Sequence, residues 1–310
     1  MAMTTTSNLE ASQKALGIYY DTRVIESLQP NLYFEQFGTV ETVPQGNYTT
    51  RFFLFNKIPT ASVTTLTEGT APTGIAVSVS AVDRTPTQYG IKVELTDLVA
   101  LTAAFNLIDT ALVEVGKVMA RKIDEVIQTV VNAGTNVIYA GGKTSRASLT
   151  ATDVLTVQDI IKAVQKLRNN AAPEFAGGGY AMVIHPAVGY DLMSNVSAGQ
   201  WIDIHKYAMP ENIFRGEIGS IAGARIVQSP NVQPFSSTVT VYPSTLIGAD
   251  AYRIAYWLAG KVNSYVKPPE EFDTANPLGQ LGFVGAKTNI AVARTQEERL
   301  VRIESAATAL

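Results

Sequence analysis

Residues 98–130 read LVALTAAFNLIDTALVEVGKVMARKIDEVIQTV, and this stretch decides the fold. Its apolar residues recur at intervals of three or four, which is typical of one face of an amphipathic helix. Thr96-Asp97 can cap the helix and Gly134 can end it, so the pattern predicts one continuous helix about 50 Å long. The predicted core stripe is Leu98, Leu101, Phe105, Ile108, Leu112, Val115, Met119, Ile123, Val126 and Val130.

The other face of this helix is polar. We expect its charges to form a solvated or intersubunit salt-bridge surface instead of a catalytic set. Phe105→Asp or Leu112→Asp should prevent folding, because either change would place an unpaired charge in the core stripe. The charged residues of the polar face are Glu114, Lys117, Arg121, Lys122, Asp124 and Glu125.

Residues 48–94, before the helix, are rich in Thr, Val, Phe and Ile and are divided by turn residues at 67–72. Ile75, Val77 and Val82 alternate with small or polar residues, as in a half-buried strand. Two or more long strands with a Gly/Pro-containing tip predict a β-hairpin-like extension. Because little helix lies nearby in sequence, we expect the extension to pack on something outside itself.

Residues 1 to about 45 have no sustained period, but they contain several aromatic residues. Aromatic side chains on such an arm need a surface to cover them, either on a neighbouring chain or on the arm's own domain. Both possibilities are open at this level. Deletion of residues 1–40 is expected to leave a soluble fold and to impair assembly. The aromatic residues are Tyr19, Tyr20, Tyr33, Phe34 and Phe37.

Beyond Gly134 the sequence predicts an α/β segment. A helix is predicted over 157–169 and another over 187–193, with a buried strand from Tyr180 to Pro186 between them. Further strands are predicted at 224–228, at 238–242, at Leu246 with Ile247, at 288–294 and at 299–303. The fold class predicted for the whole chain is therefore α+β.

The composition narrows the possible functions. Charged residues make up 16% of the 310 residues, against about 25% in an average soluble chain. The absence of cysteine excludes disulfides and thiolate sites, and a net charge of −3 argues against a protein that grips nucleic acid. We expect no secretory signal and no membrane helix, and we expect partner surfaces to cover much of the subunit.

Several motifs come close to known chemistry without completing it. Gly142-Lys143-Thr144 resembles the end of a P-loop, but Val137 stands where the leading glycine belongs, and Gly177-Gly178-Gly179 fails the dinucleotide pattern at Met182. His185 is interpreted as a structural histidine. A hydrolase could use Asp203 with His205, or the acidic group Glu270, Glu271 and Asp273. Neither set includes a convergent nucleophile, so we assign no catalytic, cofactor-binding or metal-binding residue, and no cofactor.

A series of short motifs carries a family resemblance. They are Leu66-Thr-Glu-Gly69 with Pro72, Gln88-Tyr-Gly90 with Leu95-Thr-Asp97, Gly248-Ala-Asp-Ala-Tyr252, Asp273-Thr-Ala-Asn-Pro-Leu-Gly-Gln280 and Gly285-Ala-Lys287. The order and spacing of these motifs, over about residues 31 to 305, resemble those of the major capsid proteins of tailed bacteriophages. These proteins have the Hong Kong 97 type fold, and the narrower resemblance is to the podovirus branch related to phage N-four.

The resemblance implies a division of the chain. It gives an N-terminal arm (1–47), an extended loop (48–95), a peripheral domain (96–150 and 262–310) that holds the long helix, and an axial domain (151–261). Some family members crosslink a lysine of the extended loop to a neighbour. Lys57 lies in the corresponding stretch, but no surrounding motif assigns it that role.

The resemblance also implies a function. Copies of the chain would form pentamers and hexamers in an icosahedral shell that encloses double-stranded DNA without binding it specifically. A separate scaffolding protein, a portal and a decoration protein are the expected partners, with assembly in the host bacterial cytoplasm. Two alternatives remain: an encapsulin-like bacterial compartment, and a cytoplasmic α/β hydrolytic enzyme.

Overall fold

The computed structural model describes residues 32–55, 58, 60–63, 65–66, 68–69, 71, 74–102, 107–194, 217–257, 261–269, 271 and 276–308. The α-helices of these residues are α1 (Asp97–Thr102), α2 (Leu107–Val131), α3 (Val157–Asn169) and α4 (Pro186–Ser194). The strands are β1 (Thr39–Thr42), β2 (Thr50–Phe55), β3 (Val79–Arg84), β4 (Thr87–Thr96), β5 (Val137–Tyr139), β6 (Tyr180–Ile184), β7 (Glu217–Ile221), β8 (Ala224–Gln228), β9 (Phe235–Ser236), β10 (Thr240–Ile247), β11 (Tyr252–Tyr256), β12 (Val262–Lys267), β13 (Leu281–Arg294) and β14 (Leu300–Ser305).

These strands form two large sheets and one small one. In the five-stranded sheet the long strand β13 is central: β4 pairs with one of its edges and β11 and β12 with the other, while β1 adds to β11. The seven-stranded sheet has the order β5-β14-β10-β6-β8-β7, with β9 beside β10. Among the strands that the structure describes, β2 and β3 pair only with each other. This mixture of helices and sheets confirms the predicted α+β class.

Helix α2 packs on the five-stranded sheet as predicted, but the buried stripe differs at both ends. Leu112 is fully buried, whereas Leu98 and Leu101 in α1 are 67% and 81% exposed. Toward the end of α2, Ile127 and Val131 are buried in place of Val126 and Val130. The helix turns a second face toward the seven-stranded sheet here, which shifts its buried side by one position. Phe105 lies outside the described residues.

The elements predicted between residues 157 and 228 are confirmed. Helix α3, with Thr156 as its cap, the buried strand β6, helix α4 and strand β8 all lie where the sequence placed them. The two separate strands predicted around 238–247 are wrong, because β10 is continuous. Strand β10 contains Pro243, which pairs with Glu304 of β14. On its other side Pro243 has no strand partner, because along β10 the pairing with β9 ends before Pro243 and the pairing with β6 begins after it. The missing proline N–H therefore costs no hydrogen bond.

The predicted domain ranges and the sheets divide the chain differently. Strand β11, from the range 151–261, lies in the five-stranded sheet, whereas β5 and β14, from the other range, lie in the seven-stranded sheet. The two sheets are therefore interleaved along the chain, and the ranges stay a prediction. Within the described residues, none of the helices is long and apolar enough to cross a lipid bilayer.

The described part of the arm folds back on its own subunit. Leu32 and Phe34 are buried in the core beside α2, and β1 pairs in parallel with β11. The Tyr252 hydroxyl donates a hydrogen bond to the Phe34 carbonyl. Gly38 allows the arm backbone to lie against the Tyr252 ring, because a Cβ at this position would be 2.5 Å from that ring. The premise that the arm supplies nothing to the core is therefore wrong, since Leu32 and Phe34 are core side chains, and removal of residues 1–40 is expected to harm the fold.

The extension is present, but it is shorter than predicted. Strands β2 and β3 pair from Thr50 with Arg84 to Phe55 with Val79. Ile75 and Val77 precede β3, have no strand structure and are exposed, so the predicted half-buried strand from Ile75 is wrong.

Candidate assembly surface

The extension presents several apolar side chains to solvent. Neighbouring residues on β2 differ sharply: Phe52 is buried against Ala255 and Ala293, whereas Phe53 is 61% exposed. The exposed apolar residues of the extension are Phe53, Ile58, Val63, Leu66, Ile75, Val77 and Val79. Phe52 thus anchors the extension to the body, and the rest of the apolar surface has no cover within the described subunit.

A second apolar patch lies where β4 and β13 meet α1. Leu98 and Leu101 of α1 are exposed there, together with Leu278 and Leu281. The backbone holds these segments together, since Leu281 is paired with Thr96 and the Asp97 N–H donates to the Gln280 carbonyl at 3.0 Å.

Asn276 organises the loop before this patch. Its Nδ2 donates to the Leu281 carbonyl at 2.7 Å, and its Oδ1 accepts from the Gln280 N–H at 2.9 Å. The part of the 273–280 motif that the structure describes therefore shapes a turn. A large apolar area on the surface of a subunit typically marks a contact with another molecule.

A buried polar row on α2 joins the helix to the arm and to the seven-stranded sheet. Asp124, Gln128 and Asn132 are four residues apart and all buried. Asp124 accepts from the Phe34 N–H at 2.8 Å and from Asn231 Nδ2 at 3.4 Å.

The other two members of the row contact strand β10 of the seven-stranded sheet and the loop before β9. Gln128 Oε1 accepts from the Gln233 N–H at 3.1 Å, and Asn132 Oδ1 accepts from Thr245 Oγ1 at 2.7 Å. The expectation that Asp124 lies on the solvated face of the helix is wrong. The spacing of four was the available signal, because it sets the three side chains on one face.

The Asp124 carboxyl lies in an unusual electrostatic environment. Burial raises its pKa from 3.8 to about 6, although the Phe34 N–H and the Asn231 amide lower it in part. Glu35, nearby and itself buried, raises it further and is paired with Lys261 Nζ at 2.5 Å. Burial also raises the pKa of Tyr252. This carboxyl therefore carries its charge at neutral pH at a cost in stability.

Asp124→Asn is expected to stabilise the unassembled subunit above pH 6. The folded-state pKa of Asp124 exceeds its ordinary value, so the folded state binds the proton more tightly, and stability falls as the pH rises from about 4 to about 6. The substituted amide would keep an acceptor for the Phe34 N–H and remove the charge. We expect the free energy of unfolding at pH 7.5 to rise by up to roughly 3 kcal/mol. Urea unfolding at pH 4.5 and 7.5 measures this.

The matched control is Glu114→Gln, which neutralises an exposed carboxylate on the same helix. Because this carboxylate is exposed to solvent, its neutralisation should change the stability of the subunit little at either pH. An equal pH slope in wild type and Asp124→Asn would contradict the assignment.

Comparison with known proteins agrees with this architecture. Residues 78–301 match the model of a family described as phage capsid protein. The chain belongs to this phage capsid family. A curated relative, the major capsid protein of Pseudomonas phage KPP21, is 25% identical over 218 residues, which cover 56% of this chain and 55% of that protein. The chain thus spans about half the length of this relative.

Solved phage capsids share the fold of this family member. The capsid of Ralstonia phage GP4 aligns with a TM-score of 0.70 and 18% identity, over 90% of this chain and 92% of that one. The capsid of cyanophage P-SCSP1u aligns with a TM-score of 0.66 and 16% identity, over 90% and 89% of the two chains. The predicted Hong Kong 97 type fold is confirmed, and membership of the family makes the protein a component of the virion.

The residues considered for catalysis have structural partners in this capsid-family chain where they are described. His185 Nδ1 accepts from the Ala187 N–H at 3.1 Å at the start of α4, and burial lowers the pKa of its ring. Lys143 pairs with Asp153 at 3.8 Å. In the described ranges, no group of three or more His, Asp or Glu side chains is arranged to hold a metal ion.

Other candidates lie partly or wholly outside the described residues. Asp203, His205, Glu270, Asp273 and Lys57 fall outside them, so neither of the sets considered for a hydrolase is tested by the structure. Glu271 is described, with its N–H donating to the Pro268 carbonyl at 3.2 Å. The assignment of no catalytic, cofactor-binding or metal-binding residue stays a prediction.

Proposed function

We propose that this chain is the major capsid subunit of a tailed bacteriophage and that its copies form the pentamers and hexamers of an icosahedral shell around double-stranded DNA. The observation that carries the proposal is the apolar face of the extension. A two-stranded sheet is marginal in water by itself, and this one is held to its own body mainly through the cluster around Phe52. A neighbouring copy supplies the missing cover.

The geometry of such a contact suits ring formation. The extension of one copy and the body surface that it covers on the next are different patches, so the contact is head-to-tail. Head-to-tail contacts close into rings when the rotation between subunits allows it. The low charge content of 16% supports extensive coverage by neighbours, because surface buried between subunits carries less charge than surface that faces water.

We assign roles to the predicted ranges from the resemblance to phage major capsid proteins. The arm (1–47) and the extended loop (48–95) reach neighbouring copies, although residues 32–42 also complete their own core. The peripheral domain (96–150 and 262–310) forms the flat wall. The axial domain (151–261) meets its counterparts at the centres of pentamers and hexamers.

The remaining partners are part of the proposal. The shell encloses DNA without specific binding, which the net charge of −3 supports. A separate scaffolding protein, a portal and a decoration protein complete the particle, and assembly takes place in the host bacterial cytoplasm. The match to a phage capsid family supports this function over an encapsulin-like compartment and over a hydrolytic enzyme.

Electron microscopy of the purified chain, alone and with the scaffolding protein of the same phage, tests the proposal. The expected result is closed icosahedral particles with five- and six-fold capsomers. Soluble monomers or small rings under every assembly condition, scaffold included, would overturn it.

A further inference from the structure

A cavity of about 300 Å³ lies between the arm, the glycine-rich loop and strands β6 and β8 of the seven-stranded sheet. Tyr33, Gln36 and Phe37 line it from the arm, and Phe175 with residues 177–179 line it from the loop. Tyr180, Ala181, Arg225 and Val227 line it from β6 and β8. Its volume is at the lower end of the range, about 300 to 1,000 Å³, of sites that bind small molecules.

The walls of this cavity are largely apolar, and three of their aromatic side chains have partners within the subunit. Phe37 and Phe175 meet edge to face, with ring centroids 6.0 Å apart. Tyr180 is buried and its hydroxyl is occupied by the Ala172 carbonyl at 3.0 Å. Ala181 pairs with Arg225 across the two strands and presents only a methyl group, so it forms a small floor. Aromatic walls over a small floor suit a flat apolar group.

Arg225 gives this apolar cavity one charged group. Its guanidinium donates to the Gly177 carbonyl at 3.2 Å, which is a neutral acceptor. Within the described ranges, no carboxylate forms an ion pair with Arg225.

The carboxylate of the neighbouring loop is engaged elsewhere. Glu174 binds the Gly179 N–H at 3.0 Å and pairs with Arg168 at 3.5 Å. The guanidinium of Arg225 thus retains donors for an anion, and such charge-assisted contacts are among the stronger hydrogen bonds.

We propose that this cavity binds a small aromatic carboxylate, with its ring between Phe37, Phe175 and the Ala181 floor and its carboxylate on Arg225. Because the cavity walls come from both the arm and the axial part of the chain, the occupant would tie the arm segment to the body. Binding would therefore stabilise the attachment of the arm. The proposal is independent of the function proposed above, since it concerns the isolated subunit.

Calorimetric titration of the unassembled full chain with 2-naphthoate and with its uncharged amide tests the site. We expect saturable binding of naphthoate, and weaker binding of the amide. Arg225→Gln should weaken naphthoate binding about tenfold or more and leave the affinity for the amide unchanged. Arg121→Gln is the matched control, because Arg121 is an exposed arginine of α2 that does not line the cavity.

Two filling variants locate the site. Ala181→Leu raises the floor and Val227→Phe fills the cavity from β8, where the residue is only half-buried, so that at least one variant should fold. Circular dichroism checks the fold, and either folded variant should abolish naphthoate binding. The proposal is overturned by a lack of saturable binding to wild type, by equal affinities for naphthoate and its amide, or by unchanged binding in a folded filling variant.

Discussion

Deleting residues 1–40 is expected to unfold the subunit, whereas deleting residues 1–31 is expected to leave it folded. The longer deletion removes Leu32 and Phe34 from the core and the first half of β1. Burial of each such side chain contributes roughly 1.5–3 kcal/mol. The longer deletion also removes the Phe34 N–H that donates to the buried Asp124 carboxylate. Loss of a donor to a buried charged group costs about 1–3 kcal/mol or more.

The combined loss is comparable with the whole stability of a typical protein, about 5–15 kcal/mol. Circular dichroism and urea unfolding of the two truncated chains, both kept unassembled, measure it. The 1–31 deletion is the control, because it retains every residue of the arm that the structure places in the core. A cooperative unfolding transition in the 1–40 deletion, at the wild-type denaturant midpoint, would refute this placement of the arm.

The sequence predicts local elements of this fold well, because periodicity reports which face of a segment is buried. Helix α2 shows a regular apolar stripe, and β6 is an uninterrupted apolar run, so both are predictable. The resemblance in motifs adds the overall architecture. Pairing between distant segments has no local pattern, and the parallel pairing of β1 with β11 joins residues more than 200 positions apart.

The polar features are the hardest to predict. A charged residue on a helix is usually exposed, so the sequence pattern places Asp124 in solvent, although its partners come from the arm and from Asn231. In the same way, Arg225 lies on the short strand β8, and the alternation of side chains along a strand predicts only the face of the sheet on which Arg225 lies. The cavity beside it depends on the arm and on the 175–179 loop, which are remote in sequence. Such sites depend on tertiary contacts that no single segment encodes.

Phe53→Asp is expected to abolish shell assembly and to leave the subunit folded. Phe53 is mostly exposed in the isolated subunit, and a surface substitution of this kind changes stability by about 0.5 kcal/mol or less. In the proposed shell the same position lies against a neighbouring copy, where a carboxylate without a partner would be buried at a cost of several kcal/mol. Because every copy repeats this contact, the penalty applies to each subunit that joins.

The adjacent Phe52 gives a matched comparison on the same strand. Phe52 is buried against the subunit's own Ala255 and Ala293, so Phe52→Asp should destabilise the monomer itself by about 3 kcal/mol or more. Phe53→Leu keeps an apolar side chain and should still assemble. Urea unfolding compares the stabilities of the Phe52 and Phe53 variants. Electron microscopy and sedimentation measure whether each variant forms particles. Normal particles from Phe53→Asp would show that this face of the extension is not covered in the shell, because a buried, unpaired aspartate in every copy is incompatible with closure.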